Sequence, residues 1–374
     1  METRIHMNLL ISTLLLTISC SSHFYEADPH LSEPPPASHT VTFWNLENLF
    51  DFEDDPDNPG DDEFLPEKEW DEARYRRKLD NLAKAVKSME TDVLAVCEVE
   101  NRRVLEDLIQ HPLLREDNWS ILHTDSPDRR GIDLGLLYKA PFKIESGPTL
   151  HTIDLGEGNG TTRGVFEAEL SISGVPITFL VNHWPSRYGG REKSTPRRIL
   201  AASTVRKIVD DLLQKNPTKE IIVLGDLNDD PWDPSVREVL KAVRELRPVV
   251  HPSNISIKKG NTSTFSPYLW NPSWKFARSS DSGTSYYWTG WTWNCFDQII
   301  VSPGLLDKSG VALVADSVSV HAPAFMIDTP QNASKPARFR KFRGKWEEGF
   351  SDHFAVKCKI TVLNKDTLEP QEGE

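Results

Sequence analysis

Residues 221–231, with the sequence IIVLGDLNDDP, change from aliphatic to polar within a few positions. The aliphatic residues 221–224 predict a short strand that is covered on both faces of a sheet. Asp226 and Asn228 follow one residue apart, so on an extended backbone their side chains would project to the same side. A carboxylate and an amide at the end of a buried strand favour a catalytic site. The structural alternative is an Asx-rich turn, since Asn, Asp and Pro are common turn residues.

Other predicted strands also carry polar side chains at their ends. These polar residues are Asn45, Glu98, His183, Asp297, Asp352 and His353. Apolar residues at helical spacing in segments such as 75–88 and 199–213 separate several of the strands. The strand-end residues therefore form one candidate set, contributed by distant parts of the chain.

The residue types in this set favour metal-assisted hydrolysis. The chain has no G-x-S-x-G nucleophile elbow and no phosphate-binding P-loop. Asp, Asn and Glu oxygens suit a hard cation such as Mg²⁺, whereas zinc would favour more His or Cys ligands. A divalent ion that neutralises phosphoryl charge, with a carboxylate or His aligning a water molecule, fits these residues.

Two groups of arginines are candidates for binding substrate. The formal net charge of the chain is -13, so contact with a polyanion would need a local basic patch or a divalent metal. Segment 187–198, which includes Arg187, has five basic residues and one acidic residue, and it predicts a local anion trap. Arg130 precedes the strand predicted at 134–138, where it could grip a phosphate or pair with Asp133.

Two further segments have unusual compositions. Segment 51–69 is acidic and contains several Pro and Gly residues; we favour a solvated loop over a calcium loop because the ordered ligand spacing is absent. Segment 263–293 is rich in aromatic residues. Those aromatics could stack on bases or sugars, and the alternative is a long ordered loop that packs against its own side chains.

The N-terminus predicts export. Residues 1–20 contain a positive start, an apolar core and a terminal Cys20, similar to a bacterial lipoprotein signal. Cleavage would leave a lipidated Cys20, although an ordinary signal peptide or a retained anchor is also consistent with this segment. Residues 21–38 predict a flexible tether, residues 39–364 the folded domain, and residues 365–374 a disordered tail. The remaining three cysteines imply no disulfide framework.

Seven motifs in order extend this interpretation. They are WNLEN, CEVEN, RRGIDLGLLY, VNHWPSR, LGDLND, FDQIIVS and GFSDHF. Together they resemble the endonuclease/exonuclease/phosphatase superfamily over residues 41–360, and the pair GDxN and SDH is the most specific element. The resemblance implies an α+β fold, a four-layer αββα sandwich in which two packed mixed β-sheets are flanked by helices.

The resemblance also implies roles for individual residues. Asn45 and Glu98 would bind the metal, with Asp352 as a second metal contact. Asp226 and Asn228 would orient and activate water and hold the phosphate.

Three further roles follow from the same resemblance. Asp297 would fix the tautomer of His353, which would contact the scissile phosphate. His183 would protonate the leaving group. The implied cofactor is Mg²⁺, with Mn²⁺ or Ca²⁺ as alternatives, and the implied substrate is a phosphate ester.

The sequence thus predicts an exported, divalent-metal-dependent phosphodiesterase, a nuclease in the first interpretation. It would be a monomer, anchored to a membrane through lipid on Cys20, on the periplasmic side or the cell surface, or else secreted. One alternative is a phosphatase or phosphodiesterase that acts on small or lipid phosphates. Another is a catalytically silent surface binding protein.

Overall fold

The computed structural model describes residues 37–156, 160, 162–251, 254, 265–277, 282–287, 292–314, 316–328 and 334–363. The predicted signal peptide, all but the last two residues of the predicted tether, and the predicted tail lie outside this range. Parts of the aromatic segment 263–293 also lie outside it. Across the described residues, no helix has the length and apolar character needed to cross a membrane.

The described residues form four α-helices and twenty β-strands. The α-helices are α1 (Glu72–Met89), α2 (Arg102–Ile109), α3 (Arg191–Lys215) and α4 (Leu246–Val250). The first ten strands are β1 (Ser38–Leu49), β2 (Val93–Val99), β3 (Ser120–Thr124), β4 (Asp133–Tyr138), β5 (Lys143–His151), β6 (Val165–Ile172), β7 (Val175–His183), β8 (Glu220–Asp226), β9 (Ala242–Val243) and β10 (Leu269–Trp270). The other ten are β11 (Ser285–Tyr287), β12 (Thr292–Asn294), β13 (Asp297–Val301), β14 (Val311–Leu313), β15 (Ser319–His321), β16 (Ile327–Asp328), β17 (Lys335–Pro336), β18 (Phe339–Phe342), β19 (Lys345–Glu348) and β20 (Ala355–Val362).

Two large mixed sheets hold most of these strands. The first sheet has the order β14-β20-β1-β2-β4-β3, with β15 also paired to β20. The second has the order β5-β6-β7-β8-β13-β10-β9. The short hairpins β11-β12, β16-β17 and β18-β19 lie outside both sheets.

The side chains of each central strand alternate between two separate cores. Phe43 of the first sheet and Ile222 of the second are buried in one shared core between the sheets. Leu94, on the opposite face of the first sheet, packs in a cluster with residues of α1 and α2. Val223, on the opposite face of the second sheet, packs in a cluster with residues of α3. Because successive strand residues point to opposite faces, these clusters form four layers, which confirms the predicted αββα sandwich.

The helix α3 begins earlier than the sequence pattern predicts. The apolar spacing indicated a helix over 199–213, but the structure extends it over Arg191–Lys215. Much of the basic segment 187–198 is therefore helical. This places several of its arginines at fixed positions beside the end of β8 instead of in an open loop.

The strand pairing gathers the predicted site at one edge of both sheets. Strands β1 and β2 are parallel, and so are β7 and β8, so each pair ends on the same side. In the second sheet Asp226 is paired with His183 on one neighbour and with Asp297 on the other. The hydroxyl of Ser351 donates to the backbone oxygen of Asn45 at 2.6 Å, which holds the segment before β20 against the end of β1.

Candidate active site

Asp226 lies at the centre of the gathered residues and is buried. Asn45, which comes from the other sheet, donates from Nδ2 to Oδ2 of Asp226 at 3.2 Å. The backbone nitrogen of Asn228 donates to Oδ1 of Asp226 at 2.9 Å. Burial raises the pKa of Asp226 to about 7. A carboxylate with this pKa can exchange a proton with water near neutral pH.

His353 and Asp297 form a hydrogen-bonded pair next to Asp226. Nδ1 of His353 donates to Oδ2 of Asp297 at 2.7 Å. Nε2 of His353 lies 3.8 Å from Oδ2 of Asp226. Burial alone would lower the pKa of His353, but the carboxylates of Asp297 and Asp226 hold it well above its ordinary value. The raised pKa favours the imidazolium form of His353, and its Nε2 faces Asp226.

His183 lies on the other side of Asp226, and its pKa is shifted in the opposite direction to that of His353. Its Nε2 is 3.6 Å from Oε1 of Glu98 and 3.7 Å from Oδ2 of Asp226. Burial lowers the pKa of His183 well below its ordinary value, and the positive charges of Arg163 and Arg130 lower it further. The lowered pKa favours the neutral form of this imidazole, which can donate or accept a hydrogen bond.

The three predicted metal ligands are all at this end of the sheets, and each has oxygen donors. Glu98 accepts from the backbone nitrogen of Asn48 at 3.1 Å through Oε2, which leaves Oε1 facing His183. Asp352 lies 3.0 Å from a guanidinium nitrogen of Arg338. Partial burial opposes ionisation of Asp352, but Arg338 and His353 hold its pKa below the ordinary value. Both carboxylates therefore suit a divalent cation.

A second group of charged residues behind this set was not predicted from the sequence. Glu47 is bound by Nε of Arg338 at 2.6 Å and by the backbone nitrogen of Phe339 at 2.9 Å. Lys78, which is fully buried, donates to the backbone oxygens of Glu47 and Phe350. Arg338 thus connects Glu47 to Asp352. Its only sequence signal was its position in a basic run shortly before the SDH motif.

A hydrogen bond joins Arg187 to the backbone of Asn228, so Arg187 helps to position the loop after β8. Asn228 has a positive φ of 49°, and its Nδ2 donates to the backbone oxygen of Trp184 at 3.0 Å. Nε of Arg187 donates to the backbone oxygen of Asn228 at 2.9 Å. The other end of the guanidinium contacts Asp230 and Asp233 at 3.0 and 2.8 Å.

The donors of Arg187 are directed at these acids and at the loop after β8, which they hold in place. Its role in substrate binding stays a prediction. Two other arginines of the predicted anion trap also contact acids, since Arg191 pairs with Asp233 and Arg198 pairs with Asp229. Arg197 of the same segment instead lines a pocket. Asp229 and Asp233 are buried ion-pair partners, and the sequence alone could not show which acids these arginines would meet.

Arg130 lies in a different environment, beside an open pocket of about 670 Å³ next to His183. Its Nε is 3.4 Å from Oδ1 of Asp128, and its side chain is about half exposed. It does not pair with Asp133, which instead binds His123 and the backbone of Ser126. Of the two alternatives left open by the sequence, contact with a phosphate remains compatible with the structure.

Arg163 is a further residue that the sequence did not indicate. It is buried, and it donates to Oδ2 of Asp128 at 2.8 Å and to the backbone oxygen of Trp184 at 2.7 Å. These contacts fix the segment that directly follows His183. No strand-end pattern or motif marks Arg163, so its position depends on the tertiary structure alone.

Comparison with known proteins shows which family this chain belongs to. The sequence model of the Endonuclease/Exonuclease/phosphatase family matches residues 40–362. The chain belongs to this family. Members of the endonuclease/exonuclease/phosphatase family are metal-dependent phosphoesterases, and the chain is an enzyme of that class. The resemblance identified from the motifs is thereby confirmed, and the interpretation as a silent binding protein is set aside. No curated protein sequence matches the chain.

Solved structures confirm the family fold. An endonuclease/exonuclease/phosphatase family protein from Bacteroides thetaiotaomicron has 16% identity and a TM-score of 0.50, with 88% of this chain and 100% of that chain covered. TDP2 from C. elegans has 14% identity and a TM-score of 0.50, with 87% and 75% covered. TDP2 from D. rerio, complexed with single-strand DNA product, has 12% identity and a TM-score of 0.50, with 87% and 100% covered.

Proposed function

We propose that this endonuclease/exonuclease/phosphatase family member is an exported, divalent-metal-dependent phosphodiesterase that acts as a nuclease. The observation that carries the nuclease assignment is the basic pocket beside His183. We use this name for the pocket lined by Asp128, Arg129, Arg130, Thr162, Arg163, Pro185, Ser186, Tyr188 and Arg197, together with Leu155 and Gly160. Among the described residues, its lining has four arginines and one aspartate, in a chain whose formal net charge is -13.

The basic pocket has the two features that a nucleic-acid strand requires. Arginines supply contacts for backbone phosphates. Arg163 binds Asp128 and the backbone oxygen of Trp184, and Arg130 lies 3.4 Å from Asp128, whereas no acid among the described residues pairs with Arg129 or Arg197. Tyr188 is 94% exposed, and an aromatic ring in that position can stack on a base. The single-strand DNA product bound to D. rerio TDP2 makes single-stranded DNA the first substrate to test.

The divalent ion used by the family fits the donor set of this chain. Glu98, Asp352 and Asn45 would hold it, because carboxylate and amide oxygens are the ligands that Mg²⁺ and Mn²⁺ prefer. When bound, the ion neutralises charge on the phosphoryl group. Arg338 would keep Asp352 oriented from the opposite side, at 3.0 Å.

The chain's own residues would supply the remaining chemistry. Asp226, with Asn45 and the backbone of Asn228 fixing its two oxygens, would orient the attacking water and accept its proton. His353 would donate its Nε2 proton to a phosphoryl oxygen as a charged hydrogen bond. His183, whose Nε2 lies 3.7 Å from Oδ2 of Asp226, would donate a hydrogen bond to the leaving-group oxygen, and the proton transfer implied by the resemblance stays a prediction.

The activity test compares nucleic acid with small phosphate esters. Purified protein is incubated with single-stranded DNA, plasmid, an aryl phosphodiester and a lipid phosphate, with Mg²⁺, Mn²⁺ or Ca²⁺, and with chelator. We expect DNA cleavage that chelator abolishes. Loss of about 10³-fold or more is expected for Asp226→Asn and His353→Ala, whereas His111→Ala, a surface histidine paired with Asp80, should retain activity.

A double variant tests the basic pocket, because it should affect the reaction with DNA and not the reaction with a small phosphate ester. Arg129→Ala/Arg197→Ala should raise KM for DNA by about tenfold or more and leave the aryl phosphodiester unaffected. Lys193→Ala, which removes a nearby positive charge that does not line the pocket, is the matched control. If small or lipid phosphates are cleaved while DNA is inert, the alternative phosphatase or phosphodiesterase function replaces the nuclease proposal.

Export and anchoring are supported by the signal in residues 1–20. Fatty-acid labelling of cells that express the full chain should mark the protein, and Cys20→Ser should abolish both the label and its recovery with membranes. A labelled Cys20→Ser protein would contradict lipid attachment at this cysteine, and an uncleaved cytoplasmic protein would contradict export.

A further inference from the structure

The loop after β1 contains a carboxylate cluster that is separate from the candidate active site. Asp54, Asp61 and Asp62 each offer a carboxylate oxygen within 4.8 Å of the oxygens of the other two. Within the described residues, none of the three is in a salt bridge, although Lys68 pairs with the neighbouring Glu63. Three negative charges at this separation repel one another unless a cation lies between them.

Asp61 provides an independent indication that a ligand is bound here. Its side chain is only 2% exposed. Its Oδ2 accepts from the backbone nitrogen of Asp55 at 2.7 Å, but its Oδ1 is buried and has no hydrogen-bond partner in the described part of the chain. A buried carboxylate oxygen without a partner costs free energy, so such an oxygen is normally paired or bound to a metal.

We infer that Asp54, Asp61 and Asp62 form a binding site for a divalent cation, and that the cation is Ca²⁺. All of the donors are oxygens, which excludes a preference for zinc. Three carboxylates in one loop favour Ca²⁺ over Mg²⁺, because Mg²⁺ usually keeps several waters and binds through one or two carboxylates. Backbone carbonyls and water would complete the coordination, as is usual for Ca²⁺.

The structure explains why the sequence pattern did not reveal this site. The ligands do not follow the ordered spacing of a calcium loop, because a tight turn brings position 54 back to positions 61 and 62. In this turn the backbone nitrogen of Asn58 donates to the oxygen of Asp55 at 2.8 Å, and that of Asp61 donates to the oxygen of Asn58 at 3.2 Å. The site is therefore formed by the folded loop.

The loop that carries this cluster lies against the turn that carries Arg130, which lines the basic pocket. A β-carbon added at Gly60 would lie 2.0 Å from the backbone oxygen of Arg130, and one added at Gly131 would lie 2.0 Å from Oδ1 of Asn58. The loop is thus in direct contact with the turn that carries Arg130. An ion that fixes residues 54–62 would also fix the backbone of Arg130 at the rim of the pocket.

The test is calcium titration of the full chain by calorimetry, with Glu98→Gln as the background to remove a predicted ligand of the active-site metal. We expect one Ca²⁺ per chain in this background. Adding Asp61→Asn should weaken binding by about tenfold or more, because it removes a charged ligand. Adding Asp57→Asn, an exposed aspartate of the same loop outside the cluster, should change affinity by less than about twofold.

Thermal unfolding keeps this test independent of misfolding. In chelator, Asp61→Asn should melt at or above the temperature of its parent, because it relieves repulsion. Ca²⁺ should raise the Tm of the Glu98→Gln protein by about 3 °C or more, and Asp61→Asn should remove that rise. Unchanged affinity in Asp61→Asn, an equal loss in Asp57→Asn, or no binding in the Glu98→Gln background would overturn the site. Tighter binding of Mg²⁺ than of Ca²⁺ would overturn the choice of ion.

Discussion

Two acidic loops leave the candidate active site, one after β8 and one after β1, and they differ in how their charge is balanced. In the loop after β8, Asp229 lies 2.7 Å from Nε of Arg198, and Asp230 and Asp233 contact Arg187. In the loop after β1, no described arginine or lysine pairs with Asp54, Asp61 or Asp62. A cluster of aspartates can therefore be part of the scaffold or a cation site, according to which cations the rest of the fold brings to it.

The arginine-bound loop also fixes the catalytic end of β8. The backbone nitrogen of Cys295 donates to Oδ1 of Asp230 at 2.8 Å, and Nε2 of Gln298 donates to the backbone oxygen of Asp229 at 2.7 Å. These contacts tie the loop to β13, which carries Asp297. The buried ion pairs thus hold Asp226, Asn228 and Asp297 in one arrangement.

The largest expected effect is the loss of stability when Arg198, the buried arginine that pairs with the loop after β8, is replaced. Arg198 is fully buried and Asp229 is 1% exposed. Arg198→Met should lower the free energy of unfolding by about 3 kcal/mol, because it removes the nearer of the two cations that pair with the buried Asp229 and leaves only Arg187, at 3.3 Å. Denaturant unfolding measures this loss. Arg76→Met, which breaks an exposed pair with Glu72, should cost less than about 0.5 kcal/mol, and equal losses would show that burial does not distinguish the pairs.

The second effect is on turnover. Arg187→Ala should lower kcat by about tenfold or more and change KM by less than about twofold, because it frees the backbone of Asn228 without removing a substrate contact. Steady-state kinetics on DNA and on an aryl phosphodiester separate the two parameters. Arg191→Ala, which loses only the pair with Asp233, should keep kcat near that of the wild type. A rise in KM with unchanged kcat would support the substrate-binding role predicted for Arg187.

A smaller effect is expected on the Tm when one aspartate in each loop is neutralised, and its sign should differ between the two loops. In chelator, Asp61→Asn should raise the Tm by about 2 °C, because it removes one of three repelling charges. Asp229→Asn should lower the Tm, because it leaves Arg198 buried and unpaired. Melting curves of the two variants under identical conditions make the comparison, and shifts in the same direction would contradict it.

The smallest expected effect is the pH dependence of the rise in Tm that Asp61→Asn causes in chelator. Burial raises the pKa of Asp61 above its ordinary value of 3.8, and the neighbouring aspartates raise it further. Because the folded state binds this proton more readily than the unfolded state, the wild type gains stability as pH falls through the folded pKa. The Tm advantage of Asp61→Asn in chelator should therefore be full at pH 7 and should shrink towards pH 4. An advantage that is constant with pH would contradict the repulsion.

The sequence predicted most of the fold because the period-2 and helical patterns are strong in the central segments. The strands that carry Asn45, Glu98 and Asp226 follow directly from apolar runs, although β1 continues beyond Asn45 to Leu49 and β2 beyond Glu98 to Val99. The number of sheets could not be derived from these patterns, since a strand that is buried on both faces looks the same in one sheet or two. Only the family resemblance supplied the two packed sheets.

The sequence by itself determined the chemical types at the site, because strand ends bearing Asn45, Glu98, Asp226 and His353 are local features. The tertiary structure alone decided their electrical states and partners. The carboxylates of Asp297 and Asp226 raise the pKa of His353, whereas burial, together with the charge of Arg163, lowers the pKa of His183. It also decided that Arg187, Arg191 and Arg198 bind protein aspartates, whereas Arg197 of the same segment lines the basic pocket. The physical reason is that charge balance depends on distances between groups that are far apart in the chain, and composition does not record those distances.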